Sequence, residues 1–198
     1  MISVWKMLRE QDAIDSGNDV RNGMLHMGPY TAEGALLQHN AICRPCGFVT
    51  HYRMAVDVGF VDGQSDRGYG LLISLNEDQM VSMEITPWQT VDAWRLDFHD
   101  GYWDWINGTW TGLVRPNQQI NNVEVVVQPA QGGGARTDIF IKVNGITAFV
   151  LYNQVAEAGV VGLTMFGHAT EIVFDNFEFE TDEPVVPLQI DDFGQQTG

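Results

Sequence analysis

Residues 48–58 read Phe-Val-Thr-His-Tyr-Arg-Met-Ala-Val-Asp-Val, and side chains of two kinds alternate along them. The even positions from Phe48 to Val58 are apolar apart from one threonine, whereas His51, Arg53 and Asp57 occupy odd positions. Successive side chains of a β-strand point to opposite faces. The stretch therefore predicts a long strand with one buried face and one solvated face.

Eight further strands are predicted along the chain, separated by turns rich in Gly and Asn. They cover residues 70–75, 79–85, 91–98, 123–127, 139–143, 146–151, 159–166 and 171–179. Asn144-Gly145 is a two-residue turn typical of a β-hairpin. Helical periodicity is weak, and residues 5–14 are a candidate for one or two turns. Short, regularly spaced strands favour an all-β sandwich or barrel.

Length and charge limit the classes of partner. The chain has 198 residues, 44% of them hydrophobic, which fits one domain with its own core. It has 26 acidic and 10 basic residues, so its formal net charge is −16. Such a field repels nucleic acid and anionic membrane surfaces, and no apolar stretch approaches the roughly 18 residues that span a bilayer. Carbohydrates, cations and other proteins remain as expected partners.

Six short motifs carry a resemblance to a known superfamily, and they occur in the expected order. They are Tyr69–Ile73, the Trp-bearing stretch Asp100–Trp110, Asn122–Val125, Val143–Gly145, Gly159–Leu163 and Phe174–Phe177. The chain from about Phe48 to Glu180 thereby resembles the concanavalin A-like lectin/glucanase superfamily, in particular the laminin-G-like and glucanase-type modules of bacterial surface proteins. The resemblance implies an all-β jelly-roll sandwich of two antiparallel sheets, located outside the cell or at its surface.

The same resemblance divides the chain into three parts. Residues 1–46 are expected to form an N-terminal segment that contributes some of the first strands. Residues 47–180 are expected to form the jelly-roll core. Residues 181–198 are acidic and contain two prolines, which predicts an extended tail or arm.

Aromatic residues are concentrated between positions 94 and 110. Trp94, Tyr102 and Trp105 are candidates for stacking on a sugar ring, with Asp104 and Asn107 as hydrogen-bonding partners, because flat rings suit the apolar face of a pyranose. For Tyr102 and Trp105, packing remains an equal alternative.

Two other tryptophans of this stretch, Trp103 and Trp110, match positions where the superfamily places tryptophan structurally. They are expected to pack in the core or a hairpin. Strand alternation places Trp103 and Trp105 on one face and Tyr102 and Asp104 on the other.

Catalytic motifs are not found in the sequence. The glucanases of the superfamily carry a Glu-x-Asp-x-(x)-Glu strand, because retaining hydrolysis needs two carboxyl groups about 5 Å apart. Glu178–Glu183 has suitable residue types, but their phase does not place them on one face. Ser/His/Asp and Cys/His motifs are also missing. The sequence therefore predicts a protein that is not an enzyme.

Two groups of residues are candidates for a covalent bridge or a metal. Cys43 and Cys46 form a CxxC pair, for which a disulfide or free thiols are favoured over a zinc site completed by His39 and His51. Many superfamily members hold a structural calcium ion, and Asp175 matches an aspartate that often binds it. A purely structural role for Asp175 is the other alternative, so no cofactor is certain.

These observations predict a non-catalytic carbohydrate-binding or adhesion module at the cell surface, in which sugars stack on exposed aromatic rings. The alternative is a structural or assembly subunit of an extracellular filament, surface layer or larger complex, built on the same jelly-roll scaffold. That alternative would make neighbouring protein subunits the main partners.

Overall fold

The protein folds as a sandwich of two antiparallel β-sheets. The computed structural model describes residues 18–29, 38–64, 66–155, 157–167 and 169–188. The predicted helical turns at 5–14 and the last ten residues of the predicted tail lie outside these ranges. Within them, no helix is both long enough and apolar enough to span a membrane.

Thirteen strands lie within the described ranges, together with a short 3-10 turn at Arg44–Cys46. They are β1 (Asp19–Arg21), β2 (Met24–Met27), β3 (Gln38–Ile42), β4 (Tyr52–Asp62), β5 (Tyr69–Leu75), β6 (Gln79–Ile85), β7 (Thr90–Asp97), β8 (Trp103–Trp110), β9 (Asn121–Pro129), β10 (Arg136–Val143), β11 (Ile146–Val155), β12 (Val160–Phe166) and β13 (Glu171–Glu180). One sheet has seven strands in the order β1-β2-β13-β4-β9-β10-β11. The other has six strands in the order β3-β12-β5-β6-β7-β8.

The predicted all-β jelly-roll sandwich is confirmed, and all nine predicted strands are present. The first predicted strand begins late, at Tyr52, and Phe48 is 50% exposed where burial was expected. The backbone amides of Thr50 and His51 donate hydrogen bonds to the Glu183 carboxylate, at 2.8 and 3.0 Å. Because these amides bind a side chain, they are not available to a neighbouring strand.

The core lies between the two sheets and is filled mainly by alternate side chains of their strands. The buried residues of the six-stranded sheet include Leu71, Met83, Ile85, Val91 and Leu163. Those of the seven-stranded sheet include Met54, Val56, Val125, Ile141 and Phe174. Each fully buried side chain of this size stabilises the fold by roughly 1.5–3 kcal/mol.

The six-stranded sheet is sharply curved, and its outer face is the concave one. Trp103 of β8 and Phe166 of β12 are in edge-to-face contact, with ring centroids 5.2 Å apart. On a flat sheet, four interstrand spacings of about 4.8 Å would hold these strands about 19 Å apart. Register irregularities in the β5–β6, β12–β5 and β7–β8 pairs accompany the curvature, as expected of bulges, which bend and twist strands.

The described part of the predicted tail lies back on its own domain. Leu188 donates its backbone N–H to the carbonyl of Arg44, and the Thr181 hydroxyl donates to the carbonyl of His51. Val185 packs against the hydrophobic core. Residues 181–188 therefore behave as a strap across the 44–51 loop.

Candidate functional site

A cleft of about 450 Å³ lies on the concave face of the six-stranded sheet. This volume is within the about 300–1,000 Å³ typical of small-molecule sites. Its apolar wall consists of Trp88, Trp94, Trp103 and Phe166. The cleft therefore combines concavity with flat aromatic surfaces.

Strand alternation on β7 places two of the cleft residues. Val91 and Ala93 are completely buried in the core between the sheets. Asp92 and Trp94 must therefore point to the opposite, concave face. Trp105 pairs directly with Trp94 across the strands, so it shares this face.

The aromatic wall is completed by rings from β8, from β12 and from the β6–β7 turn. Trp103 pairs with Leu96 and points to the same face as Trp105, as the sequence predicted. Its ring meets Phe166 across the cleft. Trp88 lies in the β6–β7 turn and is largely exposed. Without the curvature of the sheet, these rings would not surround one space.

Glu84 is a buried carboxyl group in the cleft wall, only 4% exposed. Its Oε1 accepts a hydrogen bond of 2.7 Å from the Ser82 hydroxyl. Its Oε2 lies so close to Gly68 that a Cβ there would come within 2.2 Å of it. Burial, with a smaller contribution from nearby Asp92, raises the pKa of Glu84 to about 8, although the Ser82 hydrogen bond opposes the rise. Glu84 is therefore protonated at neutral pH.

Asp92 lies directly opposite Glu84 in the β6–β7 pair and lines the same cleft. Its Oδ1 accepts a 3.1 Å hydrogen bond from the indole Nε1–H of Trp105. Gly108 leaves space for this contact, because a Cβ there would lie 2.1 Å from Asp92 Oδ1 and 2.9 Å from Trp105 Nε1. The hydrogen bond orients the carboxylate beside two tryptophan rings.

Among the residues that line the cleft, Arg67 is the one cation. The Arg67 Nε lies 3.7 Å from an Asp66 carboxylate oxygen and 3.4 Å from Gln64 Oε1, which accepts its hydrogen. The cleft thus offers both donors and acceptors for hydroxyl groups at its rim. Such convergent polar groups orient ligands in apolar pockets.

The structure places the five predicted sugar-binding residues in different surroundings. Trp94 lines the cleft and Trp105 lies beside it. Tyr102 precedes β8 and is 64% exposed. Asp104 lies on the other face of β8 and pairs with Arg95 at 3.2 Å.

The fifth residue, Asn107, lies opposite Ala93, a residue whose side chain faces the core. Its own side chain accepts the backbone N–H of Gly108. The structure therefore brings Trp94 and Trp105 together and keeps Asp104 and Asn107 away from the cleft.

Trp103 and Trp110, which are expected to pack in the core or a hairpin, have different surroundings in the structure. Trp103 packs, but against Phe166 in the cleft rather than in the core between the sheets. Trp110 lies at the end of the edge strand β8 and is 72% exposed. An edge strand has a neighbour on one side only, which is why packing failed to cover this ring.

Cys43 and Cys46 are joined by a disulfide across the Arg44–Cys46 turn. Both sulfur atoms are used by this bond, so neither is available as the thiolate that the zinc alternative requires. The Nδ1 of His51 lies 3.0 Å from a Glu183 oxygen instead.

Asp175 lies in a bulge of β13, where its Oδ1 accepts the backbone N–H of Asn176. The Asn176 amide in turn donates to Asp57. Across the described ranges, no three His, Cys, Asp or Glu side chains are grouped closely enough to hold a metal. Calcium binding at Asp175 stays a prediction.

Sequence reasoning missed Trp88, Phe166, Arg67, Glu84 and Asp92 as cleft residues. Asp92 precedes Trp94 by two positions, so the alternation that exposes one also exposes the other. The same alternation places Ser82 and Glu84, which are also two positions apart, on one face of β6. No local signal brings Phe166 and Arg67 to the site, because sheet curvature decides their positions.

The chain is similar in structure to several carbohydrate-associated proteins. The carbohydrate recognition domain of Emp46p, in a metal-free form, matches with a TM-score of 0.59 at 7% identity over 87% of this chain and 92% of that one. The carbohydrate binding module CBM66 from Bacillus subtilis matches with a TM-score of 0.51 at 14% identity, over 83% of this chain and 86% of that one. SCLam, a non-specific endo-β-1,3(4)-glucanase of family GH16, matches with a TM-score of 0.56 at 9% identity, over 82% of this chain and 74% of that one.

No protein-family model matches the chain, and no curated protein matches it in sequence. At these identities the structural likenesses establish the fold. The chain has a concanavalin A-like jelly-roll fold, as its sequence motifs predicted. Binding modules and an enzyme share this fold, so function must be argued from the cleft.

Proposed function

We propose that this protein is a non-catalytic carbohydrate-binding module that holds a glycan in the concave cleft. The observation that carries the proposal is the aromatic wall, formed by Trp88, Trp94, Trp103 and Phe166 around a space of about 450 Å³. Aromatic faces attract the C–H face of a pyranose and leave its hydroxyl groups free for hydrogen bonds at the ring edge.

The polar groups at the cleft have the chemistry that sugar hydroxyls require. The Asp92 carboxylate accepts hydrogen bonds, and its orientation is fixed by Trp105. Arg67 offers several N–H donors at the rim. Sugar rings would stack on Trp94 and Trp103 between these groups, with Trp105 extending the surface toward the β8 edge.

Binding is favoured over hydrolysis by the state of the two carboxyl groups in the cleft. Glu84 and Asp92 lie opposite each other, which is the kind of pair a glycosidase uses. Glu84, however, is almost completely buried, with one oxygen bound to Ser82 and the other packed against Gly68. A general acid must reach the glycosidic oxygen, and a carboxyl group that is only 4% exposed presents little of its surface to a ligand in the cleft.

Location outside the cell or at its surface is part of the proposal. The Cys43–Cys46 disulfide supports it, because disulfides persist in oxidising compartments and are rare in the cytosol. The carbohydrate module and recognition domain with the same fold are consistent with a role in glycan contact.

A glycan array followed by titration calorimetry with β-glucan oligosaccharides tests the proposal. We expect binding to at least one glycan, and we expect Trp94→Ala to weaken it about tenfold or more, as for a residue at the centre of an interface. Tyr152→Ala is the control, because Tyr152 is an exposed aromatic residue on the seven-stranded sheet, away from the cleft. A folded protein without array signal or binding heat would refute the proposal.

The non-catalytic part of the proposal needs its own measurement. The glycan that binds is incubated with the protein, and newly formed reducing ends are counted. We expect none above the blank. Release of reducing ends that disappears in both Glu84→Gln and Asp92→Asn would identify the pair as catalytic and overturn this part.

A further inference from the structure

We infer that the cleft selects uncharged glycans and rejects chains that carry a carboxylate on each sugar. This inference rests on the proposed function, because it names the class of glycan that the same cleft takes. It follows from the charges around the aromatic wall and from where each is placed.

The cleft contains more acidic groups than basic ones. Asp66, Glu84 and Asp92 are its carboxyl groups, and Arg67 is the cation that lines it. Arg67 lies within 3.7 Å of Asp66, so these two charges largely cancel each other. Burial keeps Glu84 protonated at neutral pH and thereby uncharged. The charge that remains beside the tryptophan rings is that of Asp92.

Asp92 is placed where a stacked sugar would meet it. Its side chain lies on the same face as Trp94 and Trp105, and its Oδ1 accepts a hydrogen bond from the Trp105 indole N–H, which is a neutral donor. A neutral donor orients the carboxylate without neutralising its charge. A uronate carboxylate on a ring stacked here would lie near a like charge in a partly desolvated cleft, where repulsion exceeds that in water.

The whole molecule adds repulsion at longer range. The formal net charge of −16 slows the approach of any polyanion. Salt screens this long-range field over about 8–10 Å but acts much less on charges in contact within a cleft. The two contributions can therefore be separated experimentally.

The test uses matched pairs of oligosaccharides that differ only at C6. Cellohexaose is compared with its C6-oxidised uronate, and β-1,4-mannohexaose with the β-1,4-mannuronate hexamer. Calorimetric titrations are run at pH 7 in 20 mM and 500 mM NaCl. We expect the neutral member of at least one pair to bind at least tenfold more tightly than its uronate, with a ratio that narrows at high salt yet stays above threefold.

The Asp92→Asn variant tests whether the discrimination between neutral and uronate oligosaccharides arises in the cleft. We expect this variant to reduce the neutral-to-uronate ratio at least threefold. Asp182→Asn removes the same charge from the exposed strap, so it is the matched control and leaves the ratio unchanged.

The outcomes separate this inference from the proposed function. Equal affinities within a pair, or tighter uronate binding, overturn the inference while the carbohydrate-binding function stands. An unchanged ratio in Asp92→Asn also overturns it. If neither member of any pair binds, and the array is also blank, the proposed function fails and the inference fails with it.

Discussion

Glu84 is a carboxyl group in an environment very different from that of a solvated side chain. Its carboxyl group is buried and neutral, and its hydrogen bond with Ser82 is compatible with an amide in its place. Between its ordinary pKa of 4.5 and about 8, the unfolded chain releases the Glu84 proton while the folded protein keeps it. Stability therefore falls as the pH rises through this window, by about 1.4 kcal/mol per pH unit.

Glu84→Gln should consequently be more stable than the wild type at pH 7 by about 3 kcal/mol, with little difference at pH 4. Urea unfolding at pH 4, 7 and 9 measures this. Glu77→Gln, at an exposed position, is the control and should show no such pH dependence. A Glu84→Gln protein that is less stable than the wild type at pH 7 would contradict the assignment of a neutral buried carboxyl group.

A substitution at Gly108 tests whether glycan binding depends on the orientation of the Asp92 carboxylate. A methyl group at this position would collide with Asp92 Oδ1 and Trp105 Nε1, so Gly108→Ala should break their hydrogen bond. We expect glycan affinity to fall about tenfold, about 1.4 kcal/mol, in a protein with an unchanged circular dichroism spectrum. Gly112→Ala, where a Cβ meets open space, should bind as the wild type does. Equal affinity for both variants would remove Asp92 from the site.

At the scale of strands and sheets, alternation predicted most of the sandwich. It placed Met54, Val56 and Val58 in the core and Arg53 outside it, as the structure shows. It missed β1, β2 and β3, because strands of three to five residues are too short to display a period. It also started the first long strand too early, since a contact with distant Glu183 decides where that strand begins.

The cleft was predictable only in part, for a related reason. Trp94 and Trp105 stand out as residue types in a short stretch of sequence. The approach of Phe166 to Trp103 depends on the bending of the five neighbouring strands β12-β5-β6-β7-β8 of the sheet. No single stretch of sequence encodes this bending. The Glu84–Asp92 pair was missed because its members belong to different strands, whereas the sequence search examined carboxylates along one strand.

The curvature itself can be tested through the contact between β8 and β12. If Trp103 and Phe166 touch across the cleft, their effects on stability are coupled. A double-mutant cycle with Trp103→Ala and Phe166→Leu should give a coupling energy of about 0.5–1.5 kcal/mol in urea unfolding. Additive effects would mean that the rings do not meet and that the sheet is flatter.

At the scale of the whole molecule, the strap connects the end of the sandwich to the disulfide loop. The Glu183 carboxylate accepts the amides of Thr50 and His51, and Leu188 pairs with Arg44. A chain cut after Thr181 would leave these groups without partners. It should be less stable by about 1–3 kcal/mol.

The same truncation tests the assembly alternative by size-exclusion chromatography with light scattering. Because the strap binds its own domain, we expect the full and shortened chains to have the same number of chains per particle. A full chain that is oligomeric, with a shortened chain that is monomeric, would instead support a structural or assembly subunit.

The position of the bound glycan decides whether the concave cleft is the functional site. The most direct measurement is the two-dimensional NMR spectrum of the tryptophan indole Nε1–H groups, assigned with single Trp→Phe variants, during titration with an oligosaccharide that binds. The indole signals of Trp94 and Trp103 should shift in proportion to saturation. Saturating glycan that leaves both signals unmoved would place the sugar elsewhere on the molecule and contradict the proposed site.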